Sequence, residues 1–237
     1  MKRDKLKDKS YFLEYINYQE ERYLRFENIK QKVIQERGRD DPAAMSIHFD
    51  LLGFQFNKLF AMYSIGNDVE EIRAFIPSVI DNLEKVDSSY YHLLTMLSIV
   101  VLTGIDENEN NRLKEIVDRS EEKDFLIDFL LNYLNPLWKI ESTEYQFKIP
   151  YAALDKVIKC NEKDISIKNL KIYLQNLWYK GHSDMGWHDT HKIEDDYIYS
   201  GYWSFESGAI AKILQLDDSS LKDTPYYPYD MVHYQES

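Results

Sequence analysis

Apolar residues recur at intervals of three and four along most of the chain, the spacing of one face of an α-helix. The clearest stripe is Val69, Ile72, Phe75, Ile76, Val79, Ile80 and Leu83. Asn67 with Glu70 three residues later predicts a capping box at its start. Pro77, inside the stripe, predicts a kink or a break near Ile76. A second stripe, Phe125, Leu126, Phe129, Leu130, Tyr133 and Leu134, is stopped by Pro136. Between the two lies a run that reads as a buried helix through Gly104, with Asp87, Ser88 and Ser89 as candidate caps. Residues 5–37 read as one long helix ending at Gly38, and residues 43–64 as another ending near Gly66.

About six helices in the first 135 residues, joined by short connections, predict antiparallel helical hairpins of repeat-like style. The stretch 136–150 (PLWKIESTEYQFKIP) has no clear period and is bounded by two prolines. It predicts a boundary between an N-terminal helical domain, 1–135, and a C-terminal helical domain, 136–237. In the second domain Pro150 opens a short helix to about Cys160, and Asp164 starts another to Tyr179. An irregular loop covers 180–199, a last helix runs from about Ser204 to Leu216, and an aromatic tail follows. No strand alternation lasts more than a few residues, so the expected fold class is all-α, in two packed parts.

Aromatic residues make up 14% of the chain, with 19 Tyr, which suits helix packing and wet-edged interfaces. Cys160 is the single cysteine, so no intrachain disulfide forms, as in a reducing compartment. The start, MKRDKLKDKSYF, lacks the apolar segment of a secretory signal. The longest apolar run, Leu93 to Leu102, contains Thr95 and Ser98 and is too short to span a bilayer. The expectation is a soluble, cytoplasmic protein with no membrane partner. Net charge is −12, unevenly spread: +4 over residues 1–39 and −8 over 182–237. Such a chain repels a phosphate backbone, making nucleic acid a poor partner, and attracts basic proteins. Plain solubility is the commoner cause of the same balance.

Catalytic chemistry is poorly served. His182, Asp184, His188, Asp189 and His191 offer metal-ligating side chains, yet their spacing fits no zinc pattern and lacks the HExxH glutamate. Cys160 has only Lys156, Lys159 and Lys163 nearby in sequence, too little to mark a reactive thiolate. GxGxxG, GxxxxGK[ST] and GxSxG are all absent from the sequence. The expectation is a non-enzyme with no cofactor and no metal. The acids Glu194, Asp195, Asp196, Glu206, Asp217, Asp218, Asp223 and Asp230 read first as a solvated face, and otherwise as groups that meet a basic partner. Two function classes remain, an inhibitory binding module and a helical-repeat adaptor, with a hydrolase built on the histidine loop a distant third.

Residues 197–234 are the most distinctive. Gly201 lets the chain turn, Trp203, Phe205 and Ile210 anchor apolar contacts, and Asp217 to Ser220 form a turn. Tyr226, Tyr227, Pro228 and Tyr229 make a stiff tail, with Pro228 biasing Tyr227 to an extended conformation. The GYWSFE opening, the AIAKIL helix, the LDDSSLKD turn and the YYPYD tail resemble the C-terminal domain of the PoNi immunity proteins. The earlier residues are similar to that family's N-terminal helical domain in length and style. The resemblance implies an immunity protein that binds and neutralises a PoNe toxin, a DNase of the PD-(D/E)xK type delivered between bacteria. It also implies that the signature residues Gly201, Trp203, Glu206 and Asp218 are structural, since specificity for one toxin belongs outside a family-wide motif, and Tyr226, Tyr227 and Pro228 are read as structural with them. The candidate partner-binding acids are Glu194, Asp195, Asp196, Asp217 and Asp218.

Overall fold

The computed structural model describes residues 2–86, 89–120, 123–194 and 196–235. Among them the secondary structure is helical, without strands. The chain forms two compact units. The first takes residues 1–88 and 189–202, the second residues 89–188 and 203–237. The helices of residues 89–135 therefore group with the C-terminal ones.

The first unit is built on α1 (Lys9–Arg37), α2 (Pro42–Ile65) and α3 (Val69–Leu83). Gly38 ends α1 at φ 93°, and Gly66 ends α2 in the left-handed region. Tyr23, Phe26 and Val33 of α1 pack on Ile47, Leu51 and Phe54 of α2. Glu20 pairs with Lys58 and Phe26 meets Phe54 edge-on, so residue numbers rise on one helix as they fall on the other, an antiparallel hairpin. A buried polar relay ties in α3. Asn82 donates to Gln55 Oε1 (2.9 Å) and to the Tyr23 hydroxyl (3.2 Å), and Gln55 donates to the Ser78 carbonyl (2.9 Å). At α3 the helix does not break at Pro77 but continues through it, where Ile76, Val79 and Ile80 are fully buried on either side and packing compensates the lost hydrogen bond. The expected capping box needs correction, since it does not form. Asp68 occupies the cap without a side-chain bond, and Asn67 donates instead to Glu71.

In the second unit α4 (Tyr90–Thr103) is apolar on nearly every face and buried almost throughout, as a central helix must be. Ser89 caps it by accepting from His92 N. Asp87 and Ser88 lie outside the described residues. Packed on α4 are α6 (Phe125–Leu134) and α11 (Phe205–Ile213). Between α4 and α6 lies α5 (Glu107–Ser120), an amphipathic helix that buries Leu113, Ile116 and Val117. Short turns α7 (Lys148–Tyr151) and α8 (Asp155–Ile158) precede α9 (Lys163–Ile172). This helix continues through a π-helical stretch, Tyr173–Trp178, into α10 (Tyr179–Gly181). The tail carries a further turn that the sequence pattern did not announce, α12 (Tyr229–Val232).

The aperiodic stretch 136–150 is held by two buried aspartates on α6. Asp124, wholly buried, caps the helix through Leu126 N and Ile127 N (2.8 and 2.9 Å). It also accepts from Gln146 N (2.8 Å) and the Tyr90 hydroxyl (3.2 Å). One turn later Asp128 accepts from Trp138 Nε1 (2.9 Å), Glu141 N (3.0 Å) and Ser142 N (2.9 Å). Asp124→Ala strands four donors at once. It should lower stability by about 2–4 kcal/mol, since each buried donor left unpaired costs on the order of 1–3 kcal/mol and some will find water. Thermal denaturation measures this, and a midpoint equal to wild type would contradict the anchoring role.

Candidate partner-binding surfaces

The C-terminal tail is built from the positions that make it distinctive in sequence. Gly201 adopts φ 115°, a conformation open to glycine and strained for other residues. In the second unit Tyr227, buried, donates its hydroxyl to Asp218 Oδ2 at 2.6 Å, and His233 Nε2 lies 2.8 Å from Asp218 Oδ1. Pro228 presses on α11 at Gly208, where an added Cβ would stand 2.6 Å from Pro228 Cγ. The tail therefore seats on the one helix position that has no side chain. Trp203 is half-buried.

Of the two readings of Asp218, structural signature residue and partner-binding acid, the geometry suits the first. Asp218 is 3% exposed with both oxygens engaged, because a carboxylate removed from water must find donors. Glu194, Asp196 and Asp217 are exposed. Asp195 lies outside the described residues. Glu194 and Asp196 belong to the first unit and Asp217 to the second.

Glu206, in the first turn of α11, is buried. It accepts from the Ser204 hydroxyl (2.6 Å) and the Tyr173 hydroxyl (2.9 Å). Burial pushes its carboxyl above the usual range, and the hydrogen bonds from Ser204, Tyr173 and Trp178 pull the other way. Side chains, rather than the helix-start N–H groups alone, hold this acid.

The histidine loop is an aromatic cluster. Buried His182 has both ring nitrogens engaged, Nδ1 with the Trp178 carbonyl (2.7 Å) and Nε2 with the Tyr151 hydroxyl (2.9 Å). This fixes a neutral tautomer, with Nδ1 donating and Nε2 accepting. His188 stacks on Tyr179 with centroids 4.2 Å apart. In the first unit, His191 Nδ1 lies 3.0 Å from the Tyr202 hydroxyl. Among the described residues no three His, Cys, Asp or Glu side chains converge as metal ligands would. A groove of about 540 Å³ beside the 137–142 stretch is lined by Lys114, Lys123 and Lys139 as well as Asp118, Asp128 and Glu141, so it is mixed in charge rather than acidic.

Family comparison covers both halves of the chain. Residues 3–115 match the family described as PoNe immunity protein (PoNi), N-terminal, and residues 122–231 match PoNe immunity proteins (PoNi), C-terminal. The chain belongs to the PoNi family. Among proteins with curated descriptions, none matches it. The crystal structure of protein PA2201 from Pseudomonas aeruginosa is similar in fold, with a TM-score of 0.63 at 14% identity over 99% of this chain and 98% of that one.

Sequence reasoning missed Asp124, Asp128 and the Tyr151–His182 pair. A capping aspartate directly before the Phe125 stripe was the one available signal. His182 also sets a pH dependence. Burial holds its pKa below the ordinary 6.5. A group depressed in the fold contributes stability above its unfolded pKa and loses it as pH falls through the folded value. Buried Glu206 and Asp124, both raised, act in the opposite sense as they protonate. Comparison with a variant isolates the histidine. The fall in stability between pH 7 and pH 5 should be shallower in His182→Asn than in wild type, although the variant is less stable at pH 7. Parallel profiles in thermal melts would refute the assignment.

Proposed function

We propose that this PoNi protein protects the cell that makes it by binding a cognate PoNe DNase toxin and covering its DNA-binding side, with no chemistry of its own. Family membership over both halves of the chain carries this reading. A DNase must present positive charge to a phosphate backbone, and a chain of net charge −12 with exposed Glu194, Asp196 and Asp217 is suited to compete for that face. Binding takes place in the cytoplasm, where an incoming nuclease meets the chromosome. Among the described residues no helix is long and apolar enough to cross a membrane.

Charge of this kind acts mainly on encounter. Opposite fields speed association, whereas exposed rim charges add little to the final affinity. Glu194→Lys with Asp196→Lys should therefore slow association with the catalytically inactive cognate nuclease by roughly 3–10-fold at low salt. It should also flatten the salt dependence and leave dissociation nearly unchanged. Stopped-flow association across a salt series reads both quantities. A wild-type rate that ignores salt and charge reversal would rule out electrostatic docking through these acids. Failure of the co-expressed protein to rescue growth from the toxin would rule out immunity itself.

A further inference from the structure

We propose that the outward face of α9, with the π-helical stretch that continues it, is a specificity-bearing contact of this protein, and that it seats an apolar, carboxylate-bearing segment of the nuclease away from its basic DNA-binding side. The inference rests on the immunity reading above and adds a second contact within it. The face lies wholly in the second unit and is open to solvent. Ile165 is 41% exposed, Ile172 51% and Leu177 41%. Lys168, Gln175, Asn176 and Lys180 are exposed as well, and among the described residues their side chains have no hydrogen-bond or ionic partner. Ile165, Lys168 and Ile172 stand three and seven residues apart, so they share one side of the helix.

The π-helical stretch brings the two amides and Leu177 to the surface, and it is pinned from behind at both ends. Tyr173 donates to Glu206 at 2.9 Å, and Trp178 donates to the same buried carboxyl. In an α-helix, residues five apart point about 140° away from each other. The i→i+5 bonding of a π-helix brings them toward one side. One buried acid holds both rings through that wider turn, which leaves Gln175, Asn176 and Leu177 as three consecutive exposed residues. Rare turns of this kind are frequent at functional sites. The division of labour also suits an immunity protein. Glu206 belongs to the segment that carries the family likeness, whereas residues 165–180 lie outside it, where specificity for one toxin belongs.

Charge selects the occupant. Residues 165–183 contain three lysines and no acid, in a chain of net charge −12. Lys171 is already engaged, donating to the Ser220 carbonyl at 3.3 Å, which leaves Lys168 and Lys180 for a partner. In sequence, acids stand only beyond the two ends of this run, with Glu162 and Asp164 at the start of α9 and Asp184 past the last turn. A partner segment that bears carboxylates is matched by this face, and one covered in lysine and arginine is not. The three exposed aliphatic side chains favour a protein over a phosphate backbone, which the rest of the chain repels. A second copy of the chain carries the same net charge of −12 and is repelled at long range. Burial of Ile165, Ile172 and Leu177 supplies the affinity, and the lysines supply the choice of partner.

The test uses the full-length protein and the catalytically inactive cognate nuclease, with affinity, dissociation rate and thermal midpoint measured for each variant. Ile172→Ser should melt close to wild type, because the side chain is half exposed. It should bind about 10-fold more weakly, chiefly through faster dissociation. Lys168→Glu combined with Lys180→Glu should also weaken binding, by about 10-fold. The sign is decisive, because added negative charge would speed association with a partner that is basic throughout. Unchanged or tighter binding in the double variant, or wild-type affinity in Ile172→Ser, would overturn the proposal. A collapsed thermal midpoint in Ile172→Ser would also overturn it, by showing that the side chain serves the fold. Duplex DNA held by wild type and released by the double variant would assign the face to nucleic acid and overturn it. A dimer that Ile172→Ser abolishes would overturn it in favour of a second copy. If wild type itself does not bind the nuclease, the immunity reading fails and this inference fails with it, whereas full binding by both variants defeats this inference alone.

Discussion

A carboxylate taken out of water needs its oxygens satisfied by hydrogen bonds, and this requirement organises the parts of the chain that are not regular helix. Asp124 and Asp128 bind back the stretch 136–150 through four backbone or indole N–H groups, while Asp124 also caps α6 and accepts from the Tyr90 hydroxyl. Asp218 holds the tail through Tyr227 and His233. In the first unit, Asp4 accepts from Leu6 N, Lys7 N and the Tyr199 hydroxyl, tying the start of the chain to the returning segment 189–202. In each case an acid on or beside a helix gathers donors from a distant irregular stretch. Breaking one such cluster leaves a buried charge unpaired, which is far more damaging than losing a surface ion pair.

The helices were legible because burial on one face imposes a 3.6-residue period. The stripes at 69–83 and 125–134 fall within α3 and α6. Local signals fared worse wherever tertiary packing outweighed them. Pro77 sits in an intact helix whose neighbours are fully buried, and the Asn67–Glu70 cap gives way to Asn67–Glu71. Local pattern does not distinguish a buried acid from a surface one, and only the family resemblance set Glu206 and Asp218 apart. In a sequence, Asp218 looks the same as Asp217, although one is 3% exposed and the other faces solvent. The difference lies in Tyr227 and His233, nine and fifteen residues away.

Structural and interactive roles separate along the C-terminal segment. Gly208, Asp218, Tyr227 and Pro228 lock the tail to α11, and Glu206 is enclosed by Ser204 and Tyr173. Residues committed to holding the fold cannot vary freely to suit different toxins. In the proposed reading that leaves exposed side chains such as Glu194 and Asp196, carried on a scaffold already ordered, to meet a partner. Preorganisation of this sort lowers the entropic cost of association, which suits an inhibitor that must engage a nuclease before DNA is cut.

Occlusion of the DNA-binding side is the central claim, and competition measures it directly. DNA cleavage by the cognate nuclease should be titrated with this protein at several DNA concentrations, at one fixed ionic strength. Occlusion predicts that the concentration giving half inhibition rises in proportion to DNA once DNA exceeds its own dissociation constant. A half-inhibition point independent of DNA, with inhibited nuclease still holding DNA, would contradict it and point to distortion of the enzyme from another face.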